Sequence, residues 1–219
     1  FRFYEFRMHA GGHDISGFSA VGSPVLGVGH NAFLGWACTT GGPDTTDIYI
    51  EQTDPAHPLR YRYEGGWHEM TRETVSIAVQ GAAPVVRPLD RSHHGPILLR
   101  EGNKAYALAC PYLDQVDAVT ESYRAMTART LAEFDAALAM NQLMEQIVML
   151  ADVEGNIRYV RTGRVPVRPK GYDFSRPVRG DTGKTEWQGL HPMADLIQVL
   201  NPPSGYLQNC NCGPDTMAK

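Results

Sequence analysis

The run from Gly29 to Glu51, GHNAFLGWACTTGGPDTTDIYIE, restricts the fold more than any other stretch of the chain. Two apolar runs of strand length, Val25 to Gly29 and Phe33 to Ala37, flank His30-Asn31, a gap short enough for a tight turn in which Asn31 takes positive φ. The expectation is a β-hairpin that runs into a polar, glycine-rich loop and then a further strand. After Trp36 the side chains shrink through Ala37, Cys38, Thr39, Thr40, Gly41 and Gly42, leaving the backbone open to whatever docks there. Exposed backbone N–H groups suit acyl transfer, because fixed donors best meet the negative charge that develops on a carbonyl oxygen. Asp44 and Asp47 follow at a spacing that can give two oxygens to a hard cation.

Elsewhere the pattern is that of short strands around one helical stretch. Phe1 to Met8 alternates aromatic and charged residues, the period of a half-buried strand, and opens abruptly, as expected of an excised or partial product of a longer chain. His9 to Gly22, with four glycines, reads as an irregular connection, and its His13-Asp14 as a locally bonded loop pair without a nucleophile beside it. Leu59 to Trp67 and Met70 to Val79 read as strands joined at Gly65-Gly66, with Ala82 to Asp90 broken by proline. Neighbouring residues on an extended chain face opposite ways, so His93-His94 reads as a structural turn into a strand at Ile97 to Arg100 and not as a metal pair. Lys104 to Ala109 returns from that strand about Glu101-Gly102-Asn103.

From about Asp114 to Leu143 the pattern predicts two short helices, the second capped by Thr130 and Glu133 with Leu131, Phe134 and Leu138 on one stripe. Gln146 to Asp152 and Ile157 to Val160 form a further hairpin about Glu154-Gly155-Asn156, and a proline-punctuated link, Arg164 to Ser175, precedes a loop leading to Trp187. Strands on both sides of a helical pair indicate an α+β fold.

Composition narrows the function classes. The net charge of −4 comes with no basic block, which argues against a nucleic-acid or anionic-membrane partner, and no apolar run reaches the length of a membrane span. Cys38, Cys110, Cys210 and Cys212 lack the spacing of a disulfide framework or a zinc site and read as free, buried thiols.

Several of these blocks carry a resemblance. Gly29-His30-Asn31, Gly35-Trp36 and DTTDIYIE at Asp44 to Glu51 resemble the corresponding hairpin of the penicillin acylase family, amidohydrolases with an N-terminal nucleophile. VLNPPSGYLQNCN at Val199 to Asn211 is similar to the family segment that brings in the oxyanion-hole asparagine. Ala151 to Arg168 and His94-Gly95-Pro96 also look like family signatures, and the blocks occur in family order over nearly the whole chain.

The resemblance implies an αββα sandwich of two antiparallel sheets, with residues 1–219 as part of a β-subunit domain carrying a helical insert at about 114–143. It implies that the nucleophile lies a short way upstream of Phe1 and that the remainder of the parent chain is the partner of this one. Thr40 then supplies a backbone N–H and Asn211 a side-chain amide to the oxyanion hole, while Val28 and Cys38 line an acyl pocket. Asp44, the carbonyl of Thr46 and Asp47 match a structural calcium site; the chemistry itself needs no cofactor. The implied substrates are small N-acyl amides, such as β-lactam side chains or acyl-homoserine lactones, and the implied location is periplasmic or secreted. Unpaired strand edges would favour self-association of the chain alone. The alternative expectation is a non-catalytic ligand- or partner-binding module.

Overall fold

The computed structural model describes residues 2–113 and 116–211. Phe1, Asp114 and Cys212, which the sequence reading set in the first strand, at the start of the helical stretch and among the thiols, lie outside the described residues. In chain order the strands begin with β1 (Phe3–Ala10), β2 (His13–Ala20), β3 (Val28–His30), β4 (Leu34–Thr40) and β5 (Asp47–Gln52). Next come β6 (Arg60–Tyr63), β7 (Gly66–Glu69), β8 (Thr71–Ile77), β9 (Val85–Arg91), β10 (Ile97–Glu101) and β11 (Lys104–Ala109). Helices α1 (Ala118–Thr127) and α2 (Leu131–Leu138) precede β12 (Gln146–Asp152), β13 (Ile157–Arg161), β14 (Val178–Arg179) and β15 (Gln198–Leu200). No helix among the described residues is long and apolar enough to cross a membrane.

The chain divides into two compact units, the second inserted into the first: residues 45–114 and 166–189 form the second, and the rest form the first. The first unit is built on a seven-stranded antiparallel sheet in the order β1-β2-β3-β4-β12-β13-β15. Inward residues of its strands, among them Ile15, Leu34, Trp36, Val148, Leu150 and Val160, meet Ala125, Met126, Phe134 and Leu138 of the helices in one apolar cluster. Burial of such side chains stabilises by roughly 1.5–3 kcal/mol each against exposure, which is what holds α1 and α2 on the sheet.

The two helices form as the sequence indicates, and the cap differs in one detail. Thr130 Oγ1 accepts the Glu133 N–H at 3.2 Å, but the Glu133 carboxylate reaches past the cap residue to the Arg129 N–H at 2.7 Å. At the β3–β4 connection Asn31 keeps φ negative, contrary to expectation. Its side chain makes the turn instead: Oδ1 accepts the N–H groups of Phe33 and Leu34 at 2.8 and 2.9 Å, while Nδ2 donates to the carbonyls of Met126 and Ala128 at the end of α1. One amide thus ties the hairpin to the helix. Asn31→Ala is expected to cost about 1–2 kcal/mol, seen as a lowered urea midpoint with an unchanged slope.

The stretch from His9 to Gly22 is not irregular: most of it is β2, paired along its whole length with β1 through a turn at Gly11-Gly12. The glycine that disguises the strand is required by it. A Cβ on Gly17 would lie 2.2 Å from the Val28 carbonyl oxygen, so only glycine permits the approach of β3. His13-Asp14 sits at the exposed end of this hairpin, with Asp14 facing Arg7 and His9 across the ladder.

The second unit holds a four-stranded sheet in the order β10-β11-β5-β14, in which only β14 runs parallel to its neighbour, and two ribbons, β6-β7 and β8-β9. The segment expected to be broken by proline contains β9, with Pro88 opposite Thr74. In a two-stranded ribbon one side of each strand has no ladder to lose, so a missing N–H is tolerated. The thiols also depart from expectation: Cys38 and Cys110 are half-buried, and Cys210 is exposed.

Candidate active site

Strand β4 positions the first candidate residues. Side chains alternate along it, so Leu34, Trp36 and Cys38 face the helices while Thr39 faces the opposite side. Cys38 lines a cavity of about 280 Å³ between the sheet and the helices, together with Leu26, Trp36, Phe134, Leu138, Leu143 and Val148. Its thiol donates to the Gly27 carbonyl at 3.1 Å, and burial pushes its pKa up, so it stays protonated and unsuited to nucleophilic attack. Val28 is half-buried in β3 opposite Phe18; at this end of the chain the cavity wall is made by Leu26 and Gly27.

Thr40 is the last residue of β4 and is exposed. The Gly41 N–H donates to the Glu145 carbonyl at 2.7 Å, next to the Thr40–Gln146 pair. N–H groups alternate sides along a strand, so Thr40's own N–H points away from β12. On that side, among the described residues, β3 pairs with β4 only at Gly35 and Trp36. The donor therefore faces the edge where the ladder has ended. Arg161, buried behind this end of the strand, donates to the Gly41 carbonyl at 2.5 Å and fixes the turn that follows.

Asn211 comes from the far end of the chain, yet its loop is tied to the same strand end. Asn209 Nδ2 donates to Thr39 Oγ1 at 2.8 Å, and Asn209 Oδ1 accepts the Asn211 N–H at 2.8 Å. Asn211 has φ of 56°, a left-handed conformation that asparagine tolerates better than most residues. Residues 205–207 line a shallow groove with Gly35, Ala37, Met149 and Ala151, on the sheet face turned away from the helices.

Of the three residues implied for calcium, Asp44 is exposed at the end of the first unit; Thr46 is exposed and Asp47 buried in the second. Asp47 Oδ2 accepts from Arg168 Nε at 2.8 Å and from Trp187 Nε1 at 2.6 Å. Its Oδ1 is buried and, among the described residues, has no hydrogen-bond partner. A buried carboxylate oxygen with free lone pairs fits a hard cation, which takes oxygen ligands.

Sequence reasoning missed a second polar centre, in the second unit. Strand β5 buries Asp47, Tyr49 and Glu51 on one face, and polar residues at three successive inward positions were the signal available. Glu51 Oε1 lies 2.8 Å from His94 Nδ1, and Glu186 Oε1 lies 2.9 Å from His94 Nε2 and 3.2 Å from His93 Nε2. The two imidazoles, expected to diverge, converge with ring centroids 3.8 Å apart. The reason is that residues 92–95 leave the extended conformation, with Ser92 and Gly95 bonded to each other through both backbone groups. Burial pushes the Glu186 carboxyl up, but hydrogen bonds from His93 and His94 outweigh it and hold the group at about 2.

The sequence profile described as penicillin amidase matches residues 1–217. Penicillin G acylase of Escherichia coli is 33% identical over 214 residues, covering 96% of this chain and 25% of that protein. An acyl-homoserine lactone acylase of Pseudomonas putida is 26% identical and covers 91% of this chain and 25% of that protein. The chain thus spans about a quarter of the length of the curated relatives it matches. A thermostable penicillin G acylase from Alcaligenes faecalis superposes with a TM-score of 0.90 at 29% identity, over 97% of this chain and 39% of that one. The α+β fold read from the strand and helix pattern is the fold of that enzyme. With a profile matched over residues 1–217, 33% identity to a penicillin G acylase and the fold of another, the chain belongs to the penicillin amidase family.

Proposed function

We propose that this chain supplies the electrostatic half of the active site of an amide hydrolase that cleaves the linear amide of small N-acyl substrates through an acyl-enzyme. The observation that carries the reading is the arrangement on β4: a backbone N–H at Thr40 on the side where, among the described residues, the ladder with β3 has ended, two residues from an apolar cavity walled by Cys38, with the Asn211 loop bonded to Thr39. In this reading Thr40 N–H and the Asn211 amide bind the oxyanion, Cys38 and Val28 belong to the acyl side, and the nucleophile comes from the rest of the parent protein. The apolar lining favours an aliphatic or aromatic acyl group and disfavours a charged one. The relatives named above as acting on penicillin G or acyl-homoserine lactones support these two substrate types as the first to test.

Thr40→Ala is expected to leave turnover within a few-fold of the parent enzyme, because only the backbone of this residue is used. Calcium, if held, would be held by Asp44, the Thr46 carbonyl and Asp47, and would brace the parent structurally; chelation should then lower its melting temperature.

The test is expression of the parent coding region, followed by intact mass, terminal sequencing and hydrolysis assays with a phenylacetyl amide and a medium-chain N-acyl-homoserine lactone. Self-cleavage that exposes a serine, threonine or cysteine, together with turnover of either substrate, is the expected result. An unprocessed protein that binds these amides without cleaving them would instead make the chain part of a binding module.

A further inference from the structure

The polar centre of the second unit is separate from the residues assigned to amide hydrolysis, and its geometry is that of a metal site. We propose that His93 Nε2, His94 Nε2 and the Glu186 carboxylate bind a divalent transition-metal ion of the zinc class.

The donors are already assembled. Both Nε2 atoms approach the same oxygen, Glu186 Oε1, at 3.2 and 2.9 Å. Adjacent ligands around an ion with metal–ligand distances of about 2.0–2.1 Å sit about 2.9–3.4 Å apart, and the two nitrogen–oxygen separations here are of that size; the ion would take the place in front of the two nitrogens that Glu186 Oε1 now fills, with the carboxylate drawing back. Two imidazoles and a carboxylate are a donor set that suits zinc and its first-row neighbours better than calcium.

The outer nitrogens are held as metal-bound histidines require. His94 Nδ1 faces Glu51 Oε1 at 2.8 Å, and His93 Nδ1 faces the Tyr61 hydroxyl at 2.9 Å. With a proton on each Nδ1, both Nε2 lone pairs point to the ion; the carboxylate and the hydroxyl fix tautomer and ring orientation. Stacking reinforces this, since the His94 ring lies on Tyr49 with centroids 3.7 Å apart and an interplanar angle of 10°.

Charge points the same way. Glu51 is fully buried, with Oε2 unpartnered among the described residues, and Glu186 adds a second carboxylate. Two carboxylates beside two imidazoles, all with limited exposure, form a donor environment that a divalent ion suits. Access exists from one side: the His94 side chain is 3% exposed, but those of His93 and Glu186 are 34% and 32% exposed, leaving room for water as a further ligand.

The experiment strips the full chain with a chelator and titrates it with zinc by calorimetry in excess calcium, and with cobalt(II) by visible absorption. The expected result is one ion per chain, ligand-field bands typical of nitrogen and oxygen donors, and a melting temperature that rises with zinc. His93→Gln and Glu186→Gln, both at partly exposed side chains, should abolish the bands while leaving far-UV circular dichroism unchanged. Tyr61→Phe should weaken binding about 10–100-fold. His191→Gln, at a partly exposed histidine whose ring faces Asp195, should change nothing. Absence of saturable uptake at micromolar zinc, or unchanged binding in folded His93→Gln and Glu186→Gln proteins, would overturn the proposal. Both outcomes are independent of whether the parent hydrolyses amides.

Discussion

Under the hydrolase reading proposed above, Asn211→Ala in the parent protein is expected to lower kcat about 100- to 1000-fold with little change in KM, the usual loss when one oxyanion donor is removed. The amide is useful only once negative charge has moved onto the substrate oxygen, so the loss falls on the transition state and not on substrate binding. Alanine also tolerates the left-handed backbone of position 211 poorly, which confounds the reading of a single variant. Asn211→Gly separates the two effects, because glycine accepts φ of 56° freely and has no donor. Both variants should lose turnover alike, with self-processing intact by mass. Near-parental kcat in the glycine variant would mean that Asn211 shapes the loop and does not touch the reacting oxygen.

The second large effect concerns stability. Glu121 is a fully buried carboxyl on α1 that holds the chain after α2: Oε2 accepts the N–H groups of Gln142 and Leu143, while Oε1 has no partner among the described residues. Burial pushes its pKa up to about 7, against the pull of the two N–H groups and of Arg164. The folded state therefore holds this proton more tightly than the unfolded chain, whose glutamate titrates near 4.5. The contribution to stability is complete below about pH 4.5 and is lost as pH rises through 7, a change of order 3 kcal/mol at most. Glu121→Gln removes the titration and keeps an acceptor for the loop. Urea midpoints measured from pH 5 to 8 should fall for the parent relative to the glutamine variant. Parallel profiles would show that the carboxyl stays ionised throughout.

What the sequence disclosed, and what it withheld, follows from how local each signal is. The hairpins at Gly102 and Gly155 and the Thr130 cap were legible because turn and cap chemistry is written within a few residues. Strand β2 was not, because its central glycine answers to Val28, a residue outside its own stretch. Asn31 was assigned to the right turn for the wrong reason: positive φ is a local property, whereas its bonds to Met126 and Ala128 depend on a helix almost a hundred residues away. The turn at His93-His94 was legible but its outcome was not: the rule that neighbours diverge holds only for extended backbone, and the shared partner Glu186 lies far off in sequence. The candidate oxyanion residues came from family motifs. No pattern local to GYLQNCN says that Asn209 would bond Thr39.

The interleaving of the two units has a consequence for synthesis. Strand β4 leaves the ribosome about a hundred residues ahead of its partner β12, which pairs Gln146 with Thr40 only after most of the second unit has been made. At roughly 5–20 residues per second the first four strands wait several seconds with one edge open. During that interval the apolar face of Leu34 and Trp36 has neither β12 nor the helices to cover it. The nascent chain therefore shows this face until residue 146 emerges, and a holdase that covers strands β1 to β4 during that interval should raise the yield.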